Sequence, residues 1–370
     1  MLPYYIILLL PLLLQQAIKG KGLVLRIGKN ANKVIYGDIA LPAFFCLFSL
    51  LLILRDQTLG RDLGNYYIRF NQWGNNSLAQ ILSSWKECIF HLYNWLFYNY
   101  ISRDFQLYVS ITALITVLPI AYVYNKDRSY GYLKTAIFVN MATFFMLFSG
   151  IRQGLAMAIG VLAYQSLKEN KNIRFFIYCI VAVLIHHTGF MIVFLFPLFK
   201  MRFHKRDLLW IVPLSGAIML FNDRIFNTLA ILFSSFDDSY NAVAGATGAG
   251  GSFLLFLVFT VFCYWIIDED QMDDEMYSLR NIMVFTTVLQ SFATLNSWAM
   301  RMNYYYILLF PIAVGRSFSC VKPKYKQVVK ITQIVISGFF TILFLYRIYS
   351  SYRTGTSALD TVPYVPFWKE

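Results

Sequence analysis

The chain has 370 residues, is 58% hydrophobic and only 14% charged, and has a mean hydropathy of +0.55. Soluble domains carry about 25% charged residues, so the composition excludes an ordinary soluble protein and implies one polytopic membrane domain spanning residues 1–370. The net charge of +13 does not point to nucleic acid, because the basic residues fall in short loops between apolar runs, the pattern of membrane topology.

A spanning helix needs about 20 apolar residues. On that basis the sequence predicts an all-α protein with about twelve transmembrane helices, over 2–18, 39–54, 105–123, 135–150, 154–167, 175–187, 189–199, 208–221, 252–267, 281–299, 303–318 and 331–346. The first run has no basic leader and no small-residue cleavage site, and is read as a retained helix. The pairs 135–167 and 175–199 also read as long interrupted hairpins. Alternate loops hold 21 of the 32 Lys and Arg residues, which makes that side cytoplasmic and puts both termini outside. The acidic loop 268–275 then lies inside as a solvated connection.

Two outer loops are long. Residues 55–104 include SLAQILSSWKECIFHLYNWLFYNYI (77–101), whose Trp and Tyr content predicts a helix lying in the membrane interface. Residues 222–251 end in AVAGATGAGG, where Gly245, Gly248, Gly250 and Gly251 suggest a lid-like segment; Asp237 and Asp238 precede it. The cysteines (Cys46, Cys88, Cys179, Cys263, Cys320) show neither a disulfide framework nor metal spacing. With no HExxH, no Walker A loop and no Cys/His cluster, neither a metal nor a cofactor is expected.

The expected topology gathers unusual polar residues on the outer face. FSGIRQGLAMAI (148–159) places Arg152 and Gln153 inside an apolar run, where a charge costs several kcal/mol unless it is partnered or hydrated. Arg55 and Asp62 follow the second span, His186 and His187 interrupt VAVLIHHTGFMIV, and Arg301 opens a late span. Arginine forks bind phosphate oxygens bidentately. Arg152, Arg301 and Arg55 therefore suit a diphosphate at headgroup level, with snorkelling as the bland alternative. A histidine such as His186 suits general-base work on a sugar hydroxyl, and Asp62 is a second candidate.

These segments resemble the EpsG family of Wzy-type polysaccharide polymerases. RDQTLGRDLGNYYIRF is similar to its Arg-x4-Gly-x-Asp-x3-Tyr segment through Arg55, Gly60, Asp62 and Tyr66. Arg61 stands where the family has Thr, so no role is carried to it. Ile151, Arg152, Gln153 and Ala156 match an Ile-Arg-Gln-x-x-Ala helix start, and His186 matches a His-x-Ser-Ala motif in which Thr188 and Gly189 are substituted. Arg301 and Tyr304 match a late Arg-x-x-Tyr, and TVPYVPFW resembles a closing Val-Pro-Tyr.

The resemblance implies a glycosyltransferase C-like fold in the bacterial plasma membrane. It implies a metal-independent, inverting enzyme that moves a growing glycan from undecaprenyl diphosphate to a new lipid-linked repeat unit on the outer face, in pathways such as lipopolysaccharide synthesis. Its partners would be the lipid-linked donor and acceptor oligosaccharides, membrane lipids and a chain-length-regulating co-polymerase. Arg152, His186, Arg301 and Asp62 are the expected catalytic residues, and Arg55, Gln153, Tyr66 and Tyr304 the expected substrate-binding ones. The rivals are an O-antigen ligase-like transferase, which differs only in acceptor, a lipid-linked oligosaccharide flippase, and a membrane O-acyltransferase.

Overall fold

In the computed structural model the described residues are 1–18, 23–26, 32–35, 39–83, 86–233, 249–295 and 297–368. They are overwhelmingly helical. The exception is a short antiparallel ribbon, β1 (Leu23–Arg26) with β2 (Asn32–Ile35), between α1 (Leu2–Ile18) and α2 (Ala40–Ile53). The expected interfacial helix is in pieces. After α3 (Leu63–Asn75) come α4 (Leu78–Ser83) and α5 (Cys88–Leu96), then a π-helical turn at Phe97–Ile101. Glu87 precedes α5 with a left-handed backbone, φ 53°.

The long α6 (Phe105–Lys126) is followed by α7 (Gly131–Asn140) and α8 (Ala142–Ser149), bent by 65° at their junction. Then α9 (Ile151–Lys168) and α10 (Asn172–Ile185) form an antiparallel hairpin. A 3₁₀ segment (His187–Phe194) and α11 (Leu195–Lys200) lead to α12 (Leu208–Phe233) and α13 (Ala249–Ile266). The outer loop expected over 222–251 is thus shortened from both ends, and Gly250 and Gly251 are helical. Asp237, Asp238, Gly245 and Gly248 lie outside the described residues. The chain closes with α14 (Asp274–Phe292), α15 (Ser297–Ile307), α16 (Phe310–Ser319), α17 (Lys326–Thr354) and an irregular tail.

The count of twelve spans is not reproduced. Among the described residues three helices are long and apolar enough to cross a membrane (Phe105–Lys126, Lys205–Ile225 and Gln327–Thr354), or four if the bent α7–α8 pair is one span. The other apolar helices have 10–17 residues. Hydropathy counts apolar residues but does not see a bend, and the run over 135–150 bends at the α7–α8 junction. Backbone freed at a bend inside a membrane protein needs a protein partner. At the α7–α8 break Asn140 donates to the Phe340 carbonyl (2.8 Å), and Arg347 of α17 donates to the Asn140 carbonyl (2.9 Å).

Tyr4, Phe44, Phe48, Phe138, Phe144 and Phe148 interlock with ring centroids 5.1–6.5 Å apart, tying α1, α2, α7 and α8 together. The basic loops are matched by acids: Lys126 with Glu169 (2.7 Å), Lys168 with Glu275 (2.7 Å), Arg316 with Asp273 (2.5 Å) and Arg280 with Glu269 (3.0 Å). Lys168 ends α9 and Arg152 lies in its first turn, so about 25 Å of helix separates this charged end from Arg152.

Candidate active site

The polar residues that interrupt the apolar runs converge on one cavity of about 220 Å³. Asp62, Tyr66, Arg152, Gln153, His186, Arg301 and Tyr304 all line it. Seven of the eight residues singled out from sequence are therefore brought together, although they span almost 250 positions of chain.

Local chemistry explains the placement. Gly60 has φ +119°, and a Cβ there would lie 2.5 Å from the Phe148 carbonyl oxygen, so only glycine lets this turn approach the tip of α8. Two residues on, Asp62 meets Ser149: its backbone N–H donates to Ser149 Oγ (3.0 Å), whose hydroxyl donates to Asp62 Oδ2 (3.1 Å). Helix α3 then presents Asn65, Tyr66 and Arg69 to the cavity at helical spacing. Gln153 donates to the Arg301 carbonyl (2.5 Å), tying the start of α9 to α15. Gly189 lets the 3₁₀ segment pack against α10, where an added Cβ would lie 2.6 Å from the Ala182 carbonyl. Thr188 and Tyr305 share a hydrogen bond at 3.0 Å. At these two positions the chain departs from the motif it resembles, and both substitutions are accommodated by direct packing.

Glu87, absent from the sequence reading, sits at the centre of the polar network. Arg152 Nη1 pairs with its Oε2, His186 Nδ1 lies 2.6 Å and His187 Nδ1 3.1 Å from its Oε1. Burial by itself would raise the Glu87 carboxyl; the hydrogen bonds from the two histidines and the charge of Arg152 outweigh it and hold the group well below the usual carboxylate range. Burial pushes the His186 imidazole down, beyond what Glu87 restores, so the ring is neutral near pH 7. The sequence did hold a signal: Lys86 and Glu87 are the only charges in 77–101.

Arg152 also donates from Nε to the Tyr66 hydroxyl (3.3 Å), and its guanidinium lies against the Phe90 ring. Its charge is already matched by Glu87. Arg69 and Arg301 differ. Both are exposed, and neither has an ion-pair partner among the described residues; Arg301 rests over the Trp298 ring at 5.3 Å. Arg69 is not singled out by the sequence pattern, and its place on α3 turns it into the cavity.

Arg55 is a correction. It is 3% exposed, does not line this cavity, and donates to the Leu147 carbonyl (3.2 Å) behind the α8 tip. Its backbone bridges to Pro366, and Asp56 N–H donates to the Val365 carbonyl (2.9 Å). A side chain enclosed between α8 and the C-terminal tail supports the cavity wall and cannot face a diphosphate in it. The same tail supplies Leu359 to the cavity lining. Glu87, His186 and His187 bring three potential ligand atoms within 4.8 Å of one another, a grouping that no sequence spacing shows.

The fold and the cavity define a helical membrane protein with an arginine-bearing polar site at one end of its bundle. Residues 39–364 match the family model described as the EpsG family, a stretch that contains every residue lining the cavity, and the chain belongs to that family. The family is associated with Wzy-type polymerases, which makes this a polysaccharide polymerase-like membrane protein. No curated protein and no solved structure matches the chain.

Proposed function

We propose that the chain is a Wzy-type polymerase that transfers a growing glycan from undecaprenyl diphosphate to a new lipid-linked repeat unit, on the outer face of a bacterial plasma membrane. The observation that carries this reading is a cavity that combines two arginines with no ion-pair partner among the described residues, Arg69 and Arg301, with a buried histidine, His186. In an inverting displacement the acceptor hydroxyl oxygen bonds to the anomeric carbon of the donor. The bond from that carbon to the diphosphate oxygen breaks, and its electron pair leaves with undecaprenyl diphosphate. The hydroxyl proton passes to His186, with Asp62 as the alternative acceptor.

Diphosphate is already a good leaving group. What develops is negative charge on the departing oxygen, and fixed cations facing that charge stabilise the transition state. Arg301 and Arg69 suit this task because they need not abandon another anion. Arg152, paired with Glu87, contributes through the geometry of the base side of the cavity. Tyr66 and Tyr304 supply walls against which a sugar ring can pack. A flippase would need cationic groups lining a path from both sides; the unmatched arginines of this cavity lie at one end.

The test is deletion of the gene followed by electrophoresis of the glycan. Loss of a polymerase leaves one repeat unit on the final acceptor. A glycan missing altogether from the acceptor would indicate a ligase, and absence of outward-facing units a flippase; either would overturn the reading.

A further inference from the structure

Glu87 touches three side chains of the candidate site, yet the reaction above gives it no part. We propose that Glu87 is a positioning residue that holds His186 and His187 as Nδ1–H tautomers, so that the Nε2 lone pair of His186 receives the acceptor proton. The inference rests on His186 being the base.

An ionised carboxylate only accepts hydrogen bonds, so each imidazole nitrogen against Oε1 must carry a proton. A neutral imidazole protonated at Nδ1 is an acceptor at Nε2. His186 is 5% exposed and lines the cavity, and among the described residues its Nε2 has no hydrogen-bond partner. Arg152 on the opposite oxygen keeps Glu87 ionised. The backbone of Glu87 is left-handed, a conformation that costs a non-glycine residue about 1 kcal/mol and persists where the surroundings impose it. The network also reaches the anion side: the His187 ring lies 5.3 Å from Trp298, the indole under Arg301.

The same three residues invite a divalent metal, and the geometry argues against one. Metal bonds of about 2.1 Å at tetrahedral angles separate ligand atoms by about 3.4 Å. His186 Nδ1 and Glu87 Oε1 are 2.6 Å apart, a hydrogen bond, and a guanidinium on the other oxygen repels a cation.

The experiment uses purified full-length protein in lipid with a synthetic lipid-linked repeat unit. Glu87→Gln should lower kcat about 10- to 100-fold, as loss of a group that orients an imidazole does, with little change in KM. The acid limb of its pH–rate profile should move to lower pH. The lost carboxylate favours the imidazolium, while His187 and Arg152, which face His186, and Arg69 and His91 around them, all disfavour it. Glu87→Asp should keep the limb near its original pH. Should the Gln variant fail to accumulate, the wild-type protein itself answers: it has four histidines, and nitrogen-15 spectra should show two with pyrrole-type Nδ1 and pyridine-type Nε2.

An unchanged kcat in Glu87→Gln, a fall in kcat with an unmoved acid limb, or the reverse tautomer would each overturn the proposal while leaving His186 as base. Loss of wild-type turnover in chelator, restored by zinc, would replace it with a metal site. Full turnover by His186→Ala would overturn the base assignment and this inference with it.

Discussion

Replacing Arg152 with alanine separates two views of this arginine. The sequence aims it at a donor diphosphate; the structure pairs it with Glu87. If the pair dominates, Arg152→Ala leaves a carboxylate that is 8% exposed without its cationic partner. Removing one member of a buried ion pair costs about 3–5 kcal/mol. His186 and His187 still donate to Oε1, and the Arg152 side chain is 25% exposed, so the lower end applies, about 3 kcal/mol. Neutralising the orphaned carboxylate should then restore stability. Arg152→Ala with Glu87→Gln is expected to recover about 2 kcal/mol relative to the single arginine variant, because the desolvated charge is gone. Arg152→Lys should keep most of the stability, since the charge remains. It should recover little polymer, because one ammonium cannot serve both Tyr66 and Glu87 as the guanidinium fork does. The assay is the thermal unfolding midpoint of purified variants in one detergent, beside polymer ladders at matched membrane abundance. A double variant no more stable than Arg152→Ala would refute the pairing argument. So would an Arg152→Ala protein of full stability that has lost its polymer, which would return Arg152 to the diphosphate.

Arg301→Ala should reduce polymer synthesis about 10²- to 10³-fold with an unchanged unfolding midpoint, since it removes a fixed donor to developing charge and leaves no partner unmatched; ladder length and the midpoint together check this. Arg55→Ala should instead lower abundance and polymer in parallel, at a cost of about 1–3 kcal/mol, because it removes a buried donor to the Leu147 carbonyl. Asp127 and the fully buried Lys134 give a pH test: burial would raise the Asp127 carboxyl, but the Lys134 charge and the hydrogen bonds of Ser129 and Lys134 hold it low. A lowered carboxyl contributes stability above the ordinary carboxylate range and loses it as pH falls, so Lys134→Met should flatten the acid side of the stability curve. Impermeant labelling of single cysteines should find Asn75 outside and Lys171 inside; the opposite result would put the cavity on the cytoplasmic face.

The sequence by itself determined the class of the protein and most of the names in its site. Long apolar runs declare helices in a membrane, because hydrophobicity is summed locally along the chain. Polar residues that break such runs stand out for the same reason, which is how Arg152, Gln153, His186 and Arg301 were legible, and the motif around Gly60 and Asp62 was legible through its resemblance to the family's segment. Tertiary structure decided what each of these side chains meets. Glu87 and His186 are 99 positions apart, and Arg55 and Leu147 92, so no local pattern could pair the first or bury the second. Arg69 faces the cavity through the register of α3 against its neighbours, and the apolar run at α7–α8 bends where a distant group, Arg347, satisfies the broken backbone. Hydrophobicity is a property of segments, whereas burial and charge pairing belong to the contacts between them, and only the folded chain makes those contacts.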